Sequence, residues 1–342
     1  MSRLKIQSLE KNTAMQLEEL RTSEKGRIIL TTLQEKKCAF LVSEGRLKAV
    51  TVISSSGINP GDIVIGLVKD VKKDIGACFI EYSDGCDGYL PFDKIPYGTT
   101  VKQGDLIPVS ITANAQKGKR AKFTAKIDYS RMPDGDTLKE KAPHLARFNY
   151  LYRSDKYIKD LIRKTFRKDE FNEIVTDDNA LAETLRSDYD CVREYKDSSF
   201  PLAKLYSLES GISEALSRQV WLKCGGYLIF DHAEAMTVID VNSGKYTPSR
   251  NKDKESAYLT VNEEAVIEIC RQLRLRNLSG IIVVDFINLD DKNDQESLME
   301  LLRKESAKDT QQVTVVDITA LGLVEITRKK TLPPLYEQIK QV

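Results

Sequence analysis

The chain has 342 residues, and a prior of about 100–200 residues per domain makes it a protein of two or three domains. Hydrophobic residues at 41% and charged residues at 30% describe a globular chain and exclude a disordered one. A net charge of +1 excludes a global polycation, so any binding of phosphate has to rest on local clusters.

The first residues (MSRLKIQSLEKNTAMQLEEL) lack the apolar core of a signal peptide, and no apolar run approaches the roughly 18 residues that span a bilayer. The expectation is a cytoplasmic protein with no membrane partner. Residues 1–25 read as a polar extension with helical character. Strands follow at RIILTTL, KCAFLVSEG and LKAVTVI, as an antiparallel meander that ends in the turn-rich SSSGINPGD. Next come DIVIGLVKDV, ACFIEYS, DGYLPF, LIPVSITA and KFTAKI, short strands at regular spacing that indicate a small barrel or sandwich. A polar connector (DYSRMPDGDTLKEKAPH) leads to helices at YIKDLIRKTF, NALAETLRSD and YSLESGISEALSRQ, with a strand-like DCVREYK before the last.

The final third alternates. WLKCGGYLIFD reads as a hairpin turning at Gly225 and Gly226, followed by strand MTVIDVN, helix VNEEAVIEICRQLRLRNL and strand GIIVVDFINL. Helix DQESLMELLRKESAKD, strand QVTVVDIT and strand GLVEITRKK complete it, so crossover units and a largely parallel sheet are expected. Thr260 and Glu263 form a T-x-x-E capping box, Ala265, Ile269 and Leu273 line one helix face, and Gly280 ends that helix.

Six scattered cysteines without a C-x-x-C pair indicate neither structural zinc nor a disulfide framework. Only His144 and His232 are available for a histidine acid–base pair, and neither lies in a suggestive motif. Carboxylates are the better candidates. MTVID ends at Asp240 and IIVVD at Asp285, and a right-handed crossover between them would bring both acids to one sheet edge. Like charges held close conflict unless a cation sits between them, and Mg²⁺ uses one or two carboxylates with waters and phosphate oxygens. The competing reading is that each Asp caps a loop or the next helix. Asn242 lies on the same strand side as Asp240, and Gly244 and Lys245 follow; Asp317 reads as structural. On the barrel, Phe79 and Tyr89 suit base stacking and the lysines of QKGKRAKFTAK, Lys117, Lys119 and Lys122 among them, suit phosphates, although Phe79 reads equally as core and the charge run as a solvated face.

MTVIDVNSGKY, EEAVIEICRQLRLRNLSGIIVVDFINL and GLVEITRKK, with YSLESGISEALSRQVWL, GGYLIFD and GACFIEYSDGCDGYLPF upstream, resemble the ribonuclease E/G family across roughly residues 26–335. The resemblance implies an α/β multi-subdomain chain. By that resemblance it would contain an RNase H-like subdomain (26–57 and 151–230), an inserted S1/OB barrel (58–128), a connector (129–150) and a DNase I-like catalytic subdomain (231–342). It also implies Asp240 and Asp285 as Mg²⁺ ligands with Asn242 in support, and Phe79, Tyr89 and Lys119 as RNA contacts. The implied reaction is hydrolytic cleavage of single-stranded RNA to 5′-phosphate and 3′-hydroxyl ends.

Three departures accompany it. The connector around Met132 to Leu145 lacks the family's 5′-end sensing motif, so similar cleavage of 5′-hydroxyl and 5′-monophosphate RNA is expected. The zinc-link cysteines are not present, so any homo-oligomer would form without that link. Ala320 and Leu321 stand where an aromatic residue and an arginine are usual. An RNA-binding protein of the same fold with weak or lost catalysis is the alternative.

Overall fold

A computed structural model describes residues 25–53, 58–115, 119–246 and 254–340. The proposed N-terminal extension and Lys117 lie outside the described residues. The chain divides into two compact units, one within Met1–Ile53 and Ile162–Val342 and the other within Ser54–Leu161. No helix among the described residues is long and apolar enough to cross a membrane.

Three strands open the first unit: β1 (Gly26–Leu33), β2 (Lys36–Ser43) and β3 (Arg46–Ile53). The second unit holds β4 (Ile63–Lys72), β5 (Ala77–Ser83), β6 (Cys86–Pro91), β7 (Leu106–Ala113), β8 (Ala121–Thr124), helix α1 (Gly135–Lys141) and β9 (Tyr150–Tyr152). Helix α2 (Lys156–Thr165) carries the chain back to the first unit. There β10 (Phe171–Thr176), α3 (Asn179–Arg186), β11 (Val192–Glu194), α4 (Leu202–Leu205) and α5 (Leu208–Leu216) follow. The last stretch contains β12 (Gln219–Trp221), β13 (Tyr227–His232), β14 (Met236–Asn242), α6 (Lys254–Leu275) and β15 (Gly280–Asp285). Helix α7 (Lys292–Ser306), β16 (Val313–Ile318), β17 (Leu323–Arg328) and α8 (Leu335–Lys340) complete the described chain.

In the second unit, β4, β5, β6, β8 and β7 close into a five-stranded barrel, because β4 pairs with both β5 and β7. The pairs are antiparallel except β6–β8, which is parallel, and this order is that of an OB barrel. Ile80, Leu90, Val109 and Phe123 fill it. Gly88 is required there, since a Cβ would collide with the Phe123 ring. The connector departs from its expected polar character: it forms α1, and Tyr129, Met132, Leu138 and Leu145 pack on Ile63, Ile65 and Leu151.

The first unit has two sheets. One runs β11-β10-β1-β2-β3, with the meander antiparallel and β10 and β11 parallel to β1, the strand order of an RNase H-like sheet. Its core joins Ile29, Phe40 and Val175 to leucines of α4 and α5. The other runs β12-β13-β14-β15-β17-β16. Val220, Leu228, Ile239, Val284 and Ile326 alternate onto one face and pack against α6 and α7. That sheet is more antiparallel than the expected crossover pattern, with β14–β15 as its parallel pair.

Helix α6 corrects two expectations. Thr260 lies inside it, and its hydroxyl donates to the Ser256 carbonyl at 2.9 Å, a bond back along the helix in place of an N-terminal cap. The helix ends at Leu275 and is closed by Asn277, whose φ of 49° is left-handed, with Leu278 N–H donating to the Leu273 carbonyl and Asn277 N–H to that of Arg274. This is a Schellman closure with Asn in the position that Gly usually takes. Gly280 begins the next strand instead.

Candidate active site and nucleic-acid surface

The β14–β15 pair is parallel, and its register sets Asp240 directly beside Asp285. The apolar residues Ile239 and Val284 turn inward to the helices and are fully buried, so period-two alternation turns both acids outward, where both are exposed. Parallel strands spaced about 4.8 Å apart put the two carboxylates within reach of one ion. Asn242 Nδ2 donates to Asp240 Oδ2 at 2.7 Å, which fixes that carboxylate's orientation. Among the described residues no group of three or more His, Cys, Asp or Glu side chains gathers to hold a metal. The donor set is therefore two carboxylates with an amide in support, all oxygen donors, and it fits a hard cation that retains several waters.

The chain beyond Asp285 is tied down from α6. Asn262 is fully buried; its Nδ2 donates to the Ile287 carbonyl at 2.7 Å and its Oδ1 accepts from Ile287 N–H at 3.1 Å. From the same helix, Glu264 accepts from the N–H groups of Lys223 and Cys224, which holds the β12–β13 turn. Gly225 turns at φ 97°. The turn after Asn242 closes onto it: Lys245 N–H donates to the Gly225 carbonyl at 3.0 Å, and a Cβ on Gly244 would lie 2.5 Å from that same oxygen. The close approach that Gly244 permits is thus to the neighbouring turn. Lys245 is exposed on this turn, three residues beyond Asn242.

On the barrel, Phe79 pairs with Tyr89 and Tyr89 with Lys122, so the three form one row across β5, β6 and β8. Their neighbours Cys78, Ile80, Gly88 and Phe123 point inward, which leaves Phe79 and Tyr89 half-buried on the outer face and Lys122 exposed. The two rings meet edge-on with centroids 6.3 Å apart. The Arg120 guanidinium lies 4.6 Å above the Phe79 ring, a cation–π contact that restrains both groups. Lys119 is exposed next to it.

A family model described as the ribonuclease E/G family matches residues 107–331. The chain belongs to the ribonuclease E/G family. It is 37% identical to ribonuclease E of Synechocystis sp. over 205 residues, 56% of this chain and 29% of that protein. To ribonuclease G of Escherichia coli it is 44% identical over 131 residues, 38% of this chain and 26% of the relative. A ribonuclease E/G-like protein of Pyropia yezoensis is 36% identical over 199 residues, 55% of this chain and 38% of its own length. The chain thus spans well under half the length of these relatives.

The span matched to the ribonuclease E/G family contains Asp240, Asn242, Asp285, Lys119, Lys122 and Lys245, while Phe79 and Tyr89 precede it. One residue of this family member escaped the sequence reading: Asn262, legible as a polar side chain on the apolar stripe of α6. Arg120 belongs to the basic cluster read in QKGKRAKFTAK, and its place over the Phe79 ring is what the sequence left open. By contrast, Arg328, in the basic stretch near the end, is buried: it pairs with Asp309 at 2.9 Å and donates to Asn277 and Leu278. It ties the end of β17 to the segments that precede β15 and β16, and it is not presented to a phosphate. Asp317 sits at an irregularity of edge strand β16, its carboxylate accepting from Ile318 N–H at 2.8 Å, with β17 between it and Asp285.

Proposed function

We propose that this chain is a magnesium-dependent endoribonuclease that cuts single-stranded RNA hydrolytically in RNA processing or decay, leaving 5′-phosphate and 3′-hydroxyl ends. The observation that carries the reading is the Asp240–Asp285 register, two exposed carboxylates side by side at the ends of parallel strands. Asp240 and Asp285 would hold one Mg²⁺, with Asn242 orienting the first. When bound, such an ion neutralises charge on a phosphodiester and makes water a stronger nucleophile at neutral pH. Hydrolysis then joins a water oxygen to phosphorus and breaks the bond to the 3′ oxygen, which leaves with a proton. Phe79 and Tyr89 would stack bases while Lys119 and Lys122 track phosphates; Lys245, in the turn beyond Asn242, would contribute a point charge. The relatives' names, ribonuclease E and ribonuclease G, support the substrate class. A cytoplasmic location, where RNA is processed and decays, belongs to the same proposal.

The test is cleavage of a labelled, single-stranded, AU-rich RNA with Mg²⁺ and with a chelator, beside the Asp285→Asn variant. Internal cuts that need the metal and vanish in the variant are expected. Tight binding without cutting, across several RNAs, would make the chain an RNA-binding relative without the chemistry.

A further inference from the structure

The face of the six-stranded sheet opposite α6 and α7 carries more than the acidic pair. Trp221 on β12 pairs with Tyr227 on β13, and Tyr227 pairs with Asn242 on β14, so the three lie in one row on that face. The next row, two residues along, contains Ile229, Asp240 and Asp285. From strand spacing and rise, the Tyr227 Cα lies about 8 Å from that of Asp240, and the Trp221 Cα about 12 Å. The indole is 56% exposed on the edge strand. The rings meet at 60° with centroids 5.3 Å apart, so Tyr227 props the indole from one side. Tyr227 is itself wedged by the turn after Asn242, where a Cβ on Gly244 would sit 3.1 Å from its Cδ1. Exposed Lys223 and Lys245 occupy the two turns joined beyond this row.

We propose that Trp221, supported by Tyr227, is a stacking site for an unpaired base next to the phosphodiester held at Asp240 and Asp285. The inference rests on the proposed RNA-cleaving function and adds to it a positional contact on the catalytic sheet, separate from the barrel. An indole over half exposed keeps one face for a π-stacked partner, and a base meets that need without regard to sequence. The separation of about 8–12 Å suits the nucleotide after the scissile one and is too short for a base several positions away. Lysines beyond the aromatic row fit the continuing phosphate chain.

Trp221 is the only tryptophan in the chain, so its fluorescence reports this position alone. The Asp285→Asn variant of the whole chain is titrated with a short single-stranded oligoribonucleotide, and RNA binding is followed in parallel by the anisotropy of a label on the RNA. Quenching that saturates with the anisotropy is expected. With Asp285 intact, Trp221→Ala should raise KM for cleavage by about 5- to 150-fold with kcat far less changed, and Trp221→Phe should recover most of the loss. Bound RNA without quenching, together with an unchanged KM in Trp221→Ala, overturns this inference while the nuclease reading stands. No RNA binding and no cleavage overturns both. A fluorescence change that follows protein concentration and ignores RNA would seat a second copy of the chain on this face and also overturn it.

Discussion

At the scale of single residues, the segment that follows Asp285 depends on a side chain with no surface of its own. Asn262 satisfies both backbone groups of Ile287, two residues past Asp285, from a position with no exposure of its own. Asn262→Leu keeps the volume but removes the side-chain partners of the partly buried Ile287 N–H and C=O, at a cost of about 1–3 kcal/mol in stability. The displaced loop should also lower kcat on the order of a hundredfold with KM little altered, since such positioning errors act on the reacting geometry. Urea unfolding and steady-state cleavage check the two halves separately, and a full kcat in a destabilised variant would confine Asn262 to a structural role. On the barrel, Phe79→Ala and Tyr89→Ala should each weaken single-stranded RNA binding by about 1–3 kcal/mol. Their rings are half-buried beside Arg120, so the loss is expected in affinity with the fold retained; equal affinity in both variants would remove stacking from the account.

At the scale of elements, legibility followed periodicity. Strands β14 and β15 were readable because an apolar alternation runs into an acid in each, and one inward-facing set of residues fixes which way the acids point. The ends of α6 were not, because T-x-x-E describes a helix start only where the preceding residues leave the helix, and here they do not. Strand β10 went unread: FNEIVT is short, has polar residues at its second and third positions and gains its place by parallel pairing with β1, a non-local contact. The interior of α6 also sets a pH dependence. Glu268 is nearly buried between Arg271 at 2.6 Å, Gln272 at 2.8 Å and Arg46 at 3.2 Å. Burial pushes its carboxyl up, but the hydrogen bonds and charges of Arg271, with Gln272 and Arg46, outweigh burial and hold it below the ordinary value of 4.5. A depressed folded value means that the unfolded chain takes up the proton more readily. The contribution is therefore present above about pH 4.5 and lost as pH falls through the lower folded value. Glu268→Gln should reduce stability at neutral pH by about 3–5 kcal/mol, because Arg271 loses its buried partner, and should flatten the acid limb below pH 4.5. Denaturant midpoints across pH measure both, and parallel acid limbs in the two proteins would assign the dependence to other carboxylates.

At the scale of the whole molecule, the two units carry separate cores, and that separation can be tested by emptying one. Phe123 is 1% exposed and packs with Ile80, Leu90 and Val109 inside the barrel, in the space that Gly88 leaves open. The cluster under β14 and β15, with Ile239, Val284 and Leu302, has no residue in common with it. Phe123→Ala should therefore cost about 3–5 kcal/mol within the barrel. Hydrogen exchange followed by strand is the measurement: amides of β5, β6 and β8 should lose protection while those of β14 and β15 keep theirs. The functional consequence follows from where the two groups of residues stand. Phe79, Tyr89 and Lys122 ride on strands that Phe123 supports, whereas Asp240, Asn242 and Asp285 do not. Loosening the barrel should thus weaken RNA binding and raise KM, with kcat at saturating RNA retained. If β14 and β15 lost protection together with the barrel, the two cores would unfold as one cooperative body, and a fall in kcat would be expected with it.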